Sequence, residues 1–367
     1  MYNAREYLTW ALKINMAKSF LLYGAYGYTG QLIAELAKEK GLNPILAGRS
    51  AEKTQRLAEN LGMGYRVFGL DRPEDIDDGL EGVAFVLHAA GPFNHTARPM
   101  MEACLRQGIH YLDITGEIAV FELAAALGPR AREAGIMMMP GVGFDVVPTD
   151  CTALHLKEKL PDATHLQLAF SSGGSRTSRG TASTMAENLG EGGAVRENGK
   201  IKRVPLGHKA MEVPFAEGKS RFCMTIPWGD VSTAYFSTGI PNIEAYTSVH
   251  PKTYRYIKLQ PYYNWLLRTS FIRNRVKKRI QKGPAGPSEE QRKKGKSYIW
   301  GKAWNEKGDT VTSRLITPEG YELTARTSLN IAQKVLDGNA PVGFQTPANA
   351  YGSGLILEIP GAIRENP

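Results

Sequence analysis

Residues Phe20–Gly30, Phe-Leu-Leu-Tyr-Gly-Ala-Tyr-Gly-Tyr-Thr-Gly, constrain this 367-residue chain more than any other stretch. Four apolar residues predict a short buried strand. Glycines at 24, 27 and 30 come next, and the apolar residues of 31–38 are spaced for a helix. A strand, a glycine-punctuated turn and a helix N-terminus, in that order, make a cradle for phosphate. Glycine lets the backbone approach the anion, and the helix amides face it. The spacing is G-x-x-G-x-x-G, looser than the dinucleotide pattern G-x-G-x-x-G. The neighbouring segments must therefore carry part of the inference.

The next strand, Pro44-Ile45-Leu46-Ala47, runs into Gly48-Arg49-Ser50. An NAD site places a carboxylate near this point to bind the ribose 2′-hydroxyl. Here Arg49 and Ser50 stand there instead. The planar guanidinium suits a 2′-phosphate, so the cofactor read from these residues is NADP. Ser50 also suits the cap of the adjoining helix.

Strands are predicted at 65–68, 83–87, 111–114 and 136–139. Helices are predicted from Pro73, over 98–107 and over 118–133. Near-continuous apolar strands alternating with helices mean a parallel sheet covered on both faces, with its ligand beyond the carboxyl ends of the strands. After residue 146 the pattern changes. It predicts a helix from Pro148 to Leu160 and strands at 165–170, 231–237 and 243–248. It also predicts a hairpin at 298–317 and a helix at 323–336. The fold class is α/β: an N-terminal doubly wound Rossmann-type sheet with an inserted α+β domain. The expected boundaries are an extension 1–17, an NADP-binding domain 18–147, a substrate domain 148–320 and a segment 321–367 packing back on the first domain.

Composition fits a globular chain, with 42% hydrophobic and 22% charged residues. No apolar run reaches membrane-spanning length, and the first 18 residues do not read as a signal peptide. Three scattered cysteines argue against a disulfide framework or a metal site and fit a reducing cytoplasm. The net charge of +9 is concentrated: residues 251–300 hold 14 Lys or Arg against 2 Glu, leaving the remainder at −3.

Further segments point one way. They are His88-Ala89-Ala90-Gly91-Pro92-Phe93, Tyr111–Glu117 (YLDITGE), Gly141–Asp150 (GVGFDVVPTD), Ser178-Arg179-Gly180-Thr181, Ile226–Asp230 (IPWGD), Gly286–Arg292 (GPSEEQR) and Gly343–Ala348 (GFQTPA). With the glycine turn and Arg49, they resemble the saccharopine dehydrogenase-like oxidoreductases, in the branch that includes trans-acting enoyl reductases. The resemblance extends over nearly the whole chain from Lys18. It implies a Rossmann domain holding NADP through Gly24, Ala25, Tyr26, Gly27, Tyr28, Thr29 and Gly30. Arg49 and Ser50 would meet the 2′-phosphate, and Ala90, Gly91, Pro92 and Phe93 would flank the nicotinamide ribose. Asp71, beyond the third strand, is counted with these cofactor residues.

The expected reaction is hydride transfer to a C=C (enoyl) or C=N bond of a lipid-like or carrier-bound substrate. Two alternatives stand beside it. One is a saccharopine-type amino-acid dehydrogenase, which needs convergent arginines to clamp two carboxylates. The other is a non-catalytic NADP-binding protein associated with membranes. The nicotinamide supplies hydride, so the protein supplies orientation and a proton. Asp145, after the sixth strand, suits a general acid or base if buried, or equally a structural carboxylate. His95 is a second proton-transfer candidate, while His88 reads as a core histidine. For substrate, Ser178, Arg179 and Thr181 precede a helix and suit an anion, with plain helix capping as the alternative; Asp113 suits a pocket wall. The pattern of 265–280 predicts a basic amphipathic helix with Trp265, Ile272, Val276 and Ile280 on one stripe. Through 262–282 it would touch an anionic membrane or an acyl carrier protein, or simply pack on the second domain. No nucleic-acid reading module is recognisable, and homodimerisation is left open.

Overall fold

The computed structural model describes residues 19–172 and 176–365; the expected extension 1–17 lies outside the described residues. The chain divides into two units. The first holds the residues up to Thr115, Leu123–Val142 and Thr324–Gln345. The second holds Gly116–Glu122, Gly143–Leu323 and the residues from Thr346 onward.

In the first unit strand and helix alternate strictly. The order is β1 (Phe20–Tyr23), α1 (Tyr28–Glu39), β2 (Ile45–Gly48), α2 (Ala51–Leu61), β3 (Tyr65–Val67), α3 (Pro73–Leu80), β4 (Phe85–His88), α4 (Phe93–Gln107), β5 (His110–Asp113), α5 (Ile118–Glu133) and β6 (Met137–Met139). The strands form a parallel sheet in the order β6-β5-β4-β1-β2-β3, and Gly343–Phe344 adds itself beside β6. In the central register Leu22 lies opposite Leu46 and Leu87, and all three are fully buried. Each such leucine contributes about 1.5–3 kcal/mol, which explains why these strands are apolar throughout. The chain leaves β1 for β2 on one side and returns to β4 on the other. That reversal is where open parallel sheets bind their ligand. Helix α4 begins at Phe93 and not at Arg98, so His95 stands exposed in its first turn.

The second unit continues with α6 (Val147–Lys159), β7 (His165–Ser172), α7 (Arg179–Glu187), β8 (Gly193–Glu197), β9 (Lys200–Val204), β10 (Ala210–Ala216), β11 (Lys219–Thr225), α8 (Asp230–Thr238) and β12 (Asn242–Ser248). Then come α9 (Pro251–Lys258), α10 (Asn264–Leu267), α11 (Ser270–Gln281) and α12 (Glu289–Lys294). The hairpin β13 (Lys296–Trp304) and β14 (Thr310–Pro318) precedes α13 (Gly320–Leu336), most of which belongs with β15 (Gly343–Phe344) to the first unit; α14 (Pro347–Tyr351) and β16 (Ile363–Glu365) then close the second. A mixed nine-stranded sheet runs β10-β11-β12-β7-β13-β14-β16, with β8 and β9 attached at β12. One face packs Leu166, Leu168 and Ile243 against Leu156 of α6 and Ala234 of α8. The other buries Phe215, Tyr246 and Trp300.

The structure corrects three expectations. Residues 231–237 form the helix α8 and not a strand; Gly239, at φ +70, ends it in the left-handed conformation typical of helix C-termini. The tail does not return whole to the first sheet. β15 pairs with β6, but β16 pairs with β14, with Leu315 opposite Arg364. The basic stretch is not one helix: α10 stops at Leu267, and the Thr269 hydroxyl accepts from Ile272 N to start α11 afresh. No helix among the described residues is long and apolar enough to cross a membrane.

Candidate functional site

The turn after β1 is shaped by close backbone approach. A Cβ on Gly30 would lie 2.3 Å from the Gly24 carbonyl oxygen, and one on Gly24, at φ +83, would lie 2.8 Å from both Ala90 N and Ala90 Cβ. The Gly24 and Ala25 amides both donate to Ala47 O, which ties the turn to the end of β2. No side chain caps α1, whose N-cap is Gly27. A helix end without a side-chain cap, reached through glycines, is the form of an anion cradle. Ala90 and Pro92 form the matching turn beyond β4, where Thr96 Oγ1 donates to both their carbonyls at 2.7 and 3.2 Å.

At the end of β2, Arg49 is exposed and takes part in no ion pair among the described residues. Ser50 occupies the N-cap position of α2, but its hydroxyl makes no capping bond, contrary to expectation. Guanidinium and hydroxyl are thus both available to a 2′-phosphate, and the residues fit NADP. Lys53, one turn into α2, holds its ammonium 5.9 Å from the centre of the Tyr26 ring. It adds a second cation to this corner that sequence reasoning missed, although its i+3 spacing from Ser50 was visible. Burial pushes the Tyr23 phenol up to about 12. Tyr26 and Asp71 act in the same direction and Arg49 against it, so these side chains share one electrostatic neighbourhood. Asp71 itself is exposed.

Two other residues of this unit are structural. Asp113 is fully buried and accepts from Tyr111 Oη at 2.6 Å and from the Thr115 and Gly141 amides at 2.9 Å each. It braces the ends of β5 and β6 and cannot present a pocket wall to substrate. His88 is enclosed by the Tyr23, Phe93 and Tyr111 rings, and burial holds its imidazole down at about 3, so it stays neutral.

In the second unit Asp145 stands on the turn between β6 and α6. It does not cap α6, whose N-cap is Val146, with no side-chain cap bond. Its carboxyl lies against Gly116. Burial raises its pKa to about 7, and the neighbouring Glu117 carboxylate acts in the same direction. Its carbonyl accepts from Trp228 Nε1 at 2.9 Å. The Trp228 ring packs 4.9 Å from Phe170, which meets Phe144 edge-on at 5.7 Å. The main chain of this protonatable residue is therefore tied to the aromatic cluster of Phe144, Phe170 and Trp228. Asp145 is half-buried, and two fully buried acids lie in the same electrostatic neighbourhood. Asp150, raised by burial to about 6, accepts from Ser237 Oγ and Ala348 N. Asp230 is pushed well above the carboxylate range by burial, with Asp150 and Asp145 adding to the shift. All three acids fall within the sequence motifs, but nothing in their spacing brings them together.

Ser178 proves to be a helix cap. Its hydroxyl accepts from Thr181 N at 3.2 Å, its amide donates to Tyr321 Oη, and Thr181 Oγ1 lies 3.2 Å from that oxygen. Both hydroxyls are thus already engaged within the protein, while Arg179 is exposed. The expected anion site at Ser178, Arg179 and Thr181 is therefore replaced by a cap.

Residues 20–139 match the family described as saccharopine dehydrogenase NADP binding domain. A human saccharopine dehydrogenase-like oxidoreductase is 26% identical over 160 residues, 38% of this chain and 37% of that protein. A trans-acting enoyl reductase of Mycobacterium leprae is 30% identical over 148 residues, 38% of this chain and 35% of that protein. The matched stretch thus spans little more than a third of these curated relatives. Among solved structures, apo saccharopine dehydrogenase (L-Glu forming) from Saccharomyces cerevisiae aligns with a TM-score of 0.66 at 13% identity. The alignment covers 95% of this chain and 99% of that one, and shows a shared fold. Residues 20–139, the strands and helices of the first unit up to β6, are thus similar to the NADP-binding domain of the saccharopine dehydrogenases.

Proposed function

We propose that this chain is an NADP-dependent oxidoreductase that reduces a C=C or C=N bond of an apolar substrate, with Asp145 supplying the proton. The first unit holds the cofactor, which when bound supplies hydride. The second unit offers the acid. The observation that carries the reading is Asp145 itself: a carboxyl raised to about 7, on a residue that follows Phe144 in the chain and accepts from the Trp228 indole through its main-chain carbonyl. An acid with a pKa near the working pH both holds its proton and releases it readily. The aromatic cluster favours an apolar substrate over a dicarboxylate. Arg196, buried in this unit, is committed to Val231 O, Gly199 O and Glu122, and forms no clamp. The names of the human and mycobacterial relatives, oxidoreductase and enoyl reductase, agree with this reading.

NADPH consumption over a panel of enones, enoyl thioesters and cyclic imines tests it. The wild type should turn over at least one class. Asp145→Asn should lower kcat by roughly 10²–10⁴-fold while NADPH binds as before. Full activity in Asp145→Asn would remove the proton donor from the proposal. Binding of NADPH without turnover of any class would leave a non-catalytic NADP-binding protein.

A further inference from the structure

Between Tyr256 and Phe271 the second unit leaves six large apolar side chains in solvent: Tyr256 (71% exposed), Leu259 (53%), Tyr262 (81%), Trp265 (71%), Leu266 (42%) and Phe271 (70%). They lie within Pro251–Lys282, a stretch with ten Lys or Arg and no Asp or Glu. An ordinary surface helix hides its apolar stripe and exposes its charges. Here three cations also bond to the rest of the unit, while Ile272, Val276 and Ile280 are half-buried. Arg268 donates to Gly190 O at 2.9 Å, Arg273 to Leu189 O and Glu191 at 2.6 Å each, and Lys277 pairs with Glu187. The Tyr254 hydroxyl, donating to Gly207 O at 3.2 Å, fixes α9 as well. With the segment anchored through polar groups, the aromatics are left outward.

The remaining cations share that outer side. Lys252, Arg255, Tyr256 and Leu259 recur at i, i+3, i+4 and i+7 along α9 and its end. Phe271, Arg275, Lys278 and Lys282 recur at i, i+4, i+7 and i+11 along α11 and its end. Such spacings place side chains on one helix face. Lys252, Arg255, Lys258, Arg275, Lys278, Arg279 and Lys282 have no carboxylate partner among the described residues.

We infer that residues 251–282 form an interfacial face that binds an anionic lipid surface. Tyrosine and tryptophan favour the headgroup level of a bilayer, where one end of the ring is apolar and the other wet. Interleaved Lys and Arg meet anionic headgroups. Lysine is depleted from protein–protein interfaces, which makes a protein partner the poorer fit. Short helices broken at Leu259 and Thr269 lie along such a surface and do not cross it, as no helix among the described residues is long enough to span.

The test is sedimentation of the full chain with vesicles of phosphatidylcholine alone and of phosphatidylcholine containing phosphatidylserine. The wild type should sediment with the second and leave them as salt rises. The variants Tyr262→Ser/Trp265→Ser/Phe271→Ser and Lys278→Glu/Arg279→Glu/Lys282→Glu should each weaken partitioning about tenfold or more. Both should unfold as cooperatively as the wild type and at the same temperature, which shows that they fold. Three results would overturn the inference: no sedimentation with either vesicle, sedimentation unchanged in both variants, or an effect of the variants confined to self-association or to binding an acidic carrier protein.

Discussion

Gly30 fixes the geometry of the cofactor turn, because a methyl group there would meet the Gly24 and Ala25 carbonyl oxygens at 2.3 and 2.8 Å. Backbone cannot swing aside as a side-chain end can. Gly30→Ala should therefore lower stability by about 1–3 kcal/mol and weaken NADPH binding, read by denaturant titration and calorimetry. Arg49 acts differently: it is exposed, supports no neighbour by ion pairing and is free to meet the ligand. Arg49→Ala should leave stability alone and weaken NADPH by about 1.5–3 kcal/mol, the worth of a charge-assisted bond. NADH, which lacks the 2′-phosphate, should bind as before; equal losses for both nucleotides would remove Arg49 from the phosphate site. For Asp145 the test is pH. Its pKa rises from 3.8 unfolded to about 7 folded. The stability tied to its protonated form is present below about pH 4 and lost as pH climbs through 7. Reduction should decline over the upper part of that window, and Asp145→Asn should abolish the limb. A limb unmoved in that variant would assign it to another group. The position of Arg49 at the end of β2 was legible because it is set by local sequence. The raised pKa of Asp145 was not, since it depends on burial and on Glu117, which is remote along the chain.

Elements were legible where one periodicity ruled. The apolar strands β1, β2 and β4 could hardly be read otherwise, being buried on both faces. α8 was misread because Val231, Thr233, Tyr235 and Phe236 are residues that favour strands. Tertiary packing against α6 and β12 overrode that preference, and Gly239 was the overlooked stop signal. The basic segment misled in another way. Its stripe ignored Thr269, whose capping hydroxyl restarts the helix and sends Trp265 outward. Capping also decides α7. Ser178 accepts from Thr181 N, so Ser178→Ala should cost about 1 kcal/mol and Ser178→Gly only a few tenths, measured by urea unfolding. Kinetic constants should not move. A large rise in KM at unchanged stability would restore an anion-binding role to this helix start.

At the scale of the molecule, the chain commits its last residues to both units, and this makes the tail separable. Every segment of the first unit, including β15, ends by Gln345. The residues from Thr346 onward serve the second unit. Ala348 N donates to buried Asp150, and the Thr346 hydroxyl helps hold that acid's pKa down. Leu355, Ile356 and Ile359 are buried, and β16 covers β14. Removing residues 346–367 would leave Asp150 short of donors, costing roughly 1–3 kcal/mol, and would strip three apolar side chains worth about 1.5–3 kcal/mol each. The sum approaches the whole stability of a typical domain. A chain ending at Gln345 should therefore lose cooperative unfolding of its second unit and any reductase activity. It should still bind NADPH, because the glycine turn, Arg49 and Ser50 all lie in the unit left intact. Calorimetry with NADPH beside a thermal scan reads both quantities. Loss of nucleotide binding together with the second unit would show that the cofactor domain does not hold its fold alone; unchanged unfolding would mean that the tail only decorates the sheet it joins.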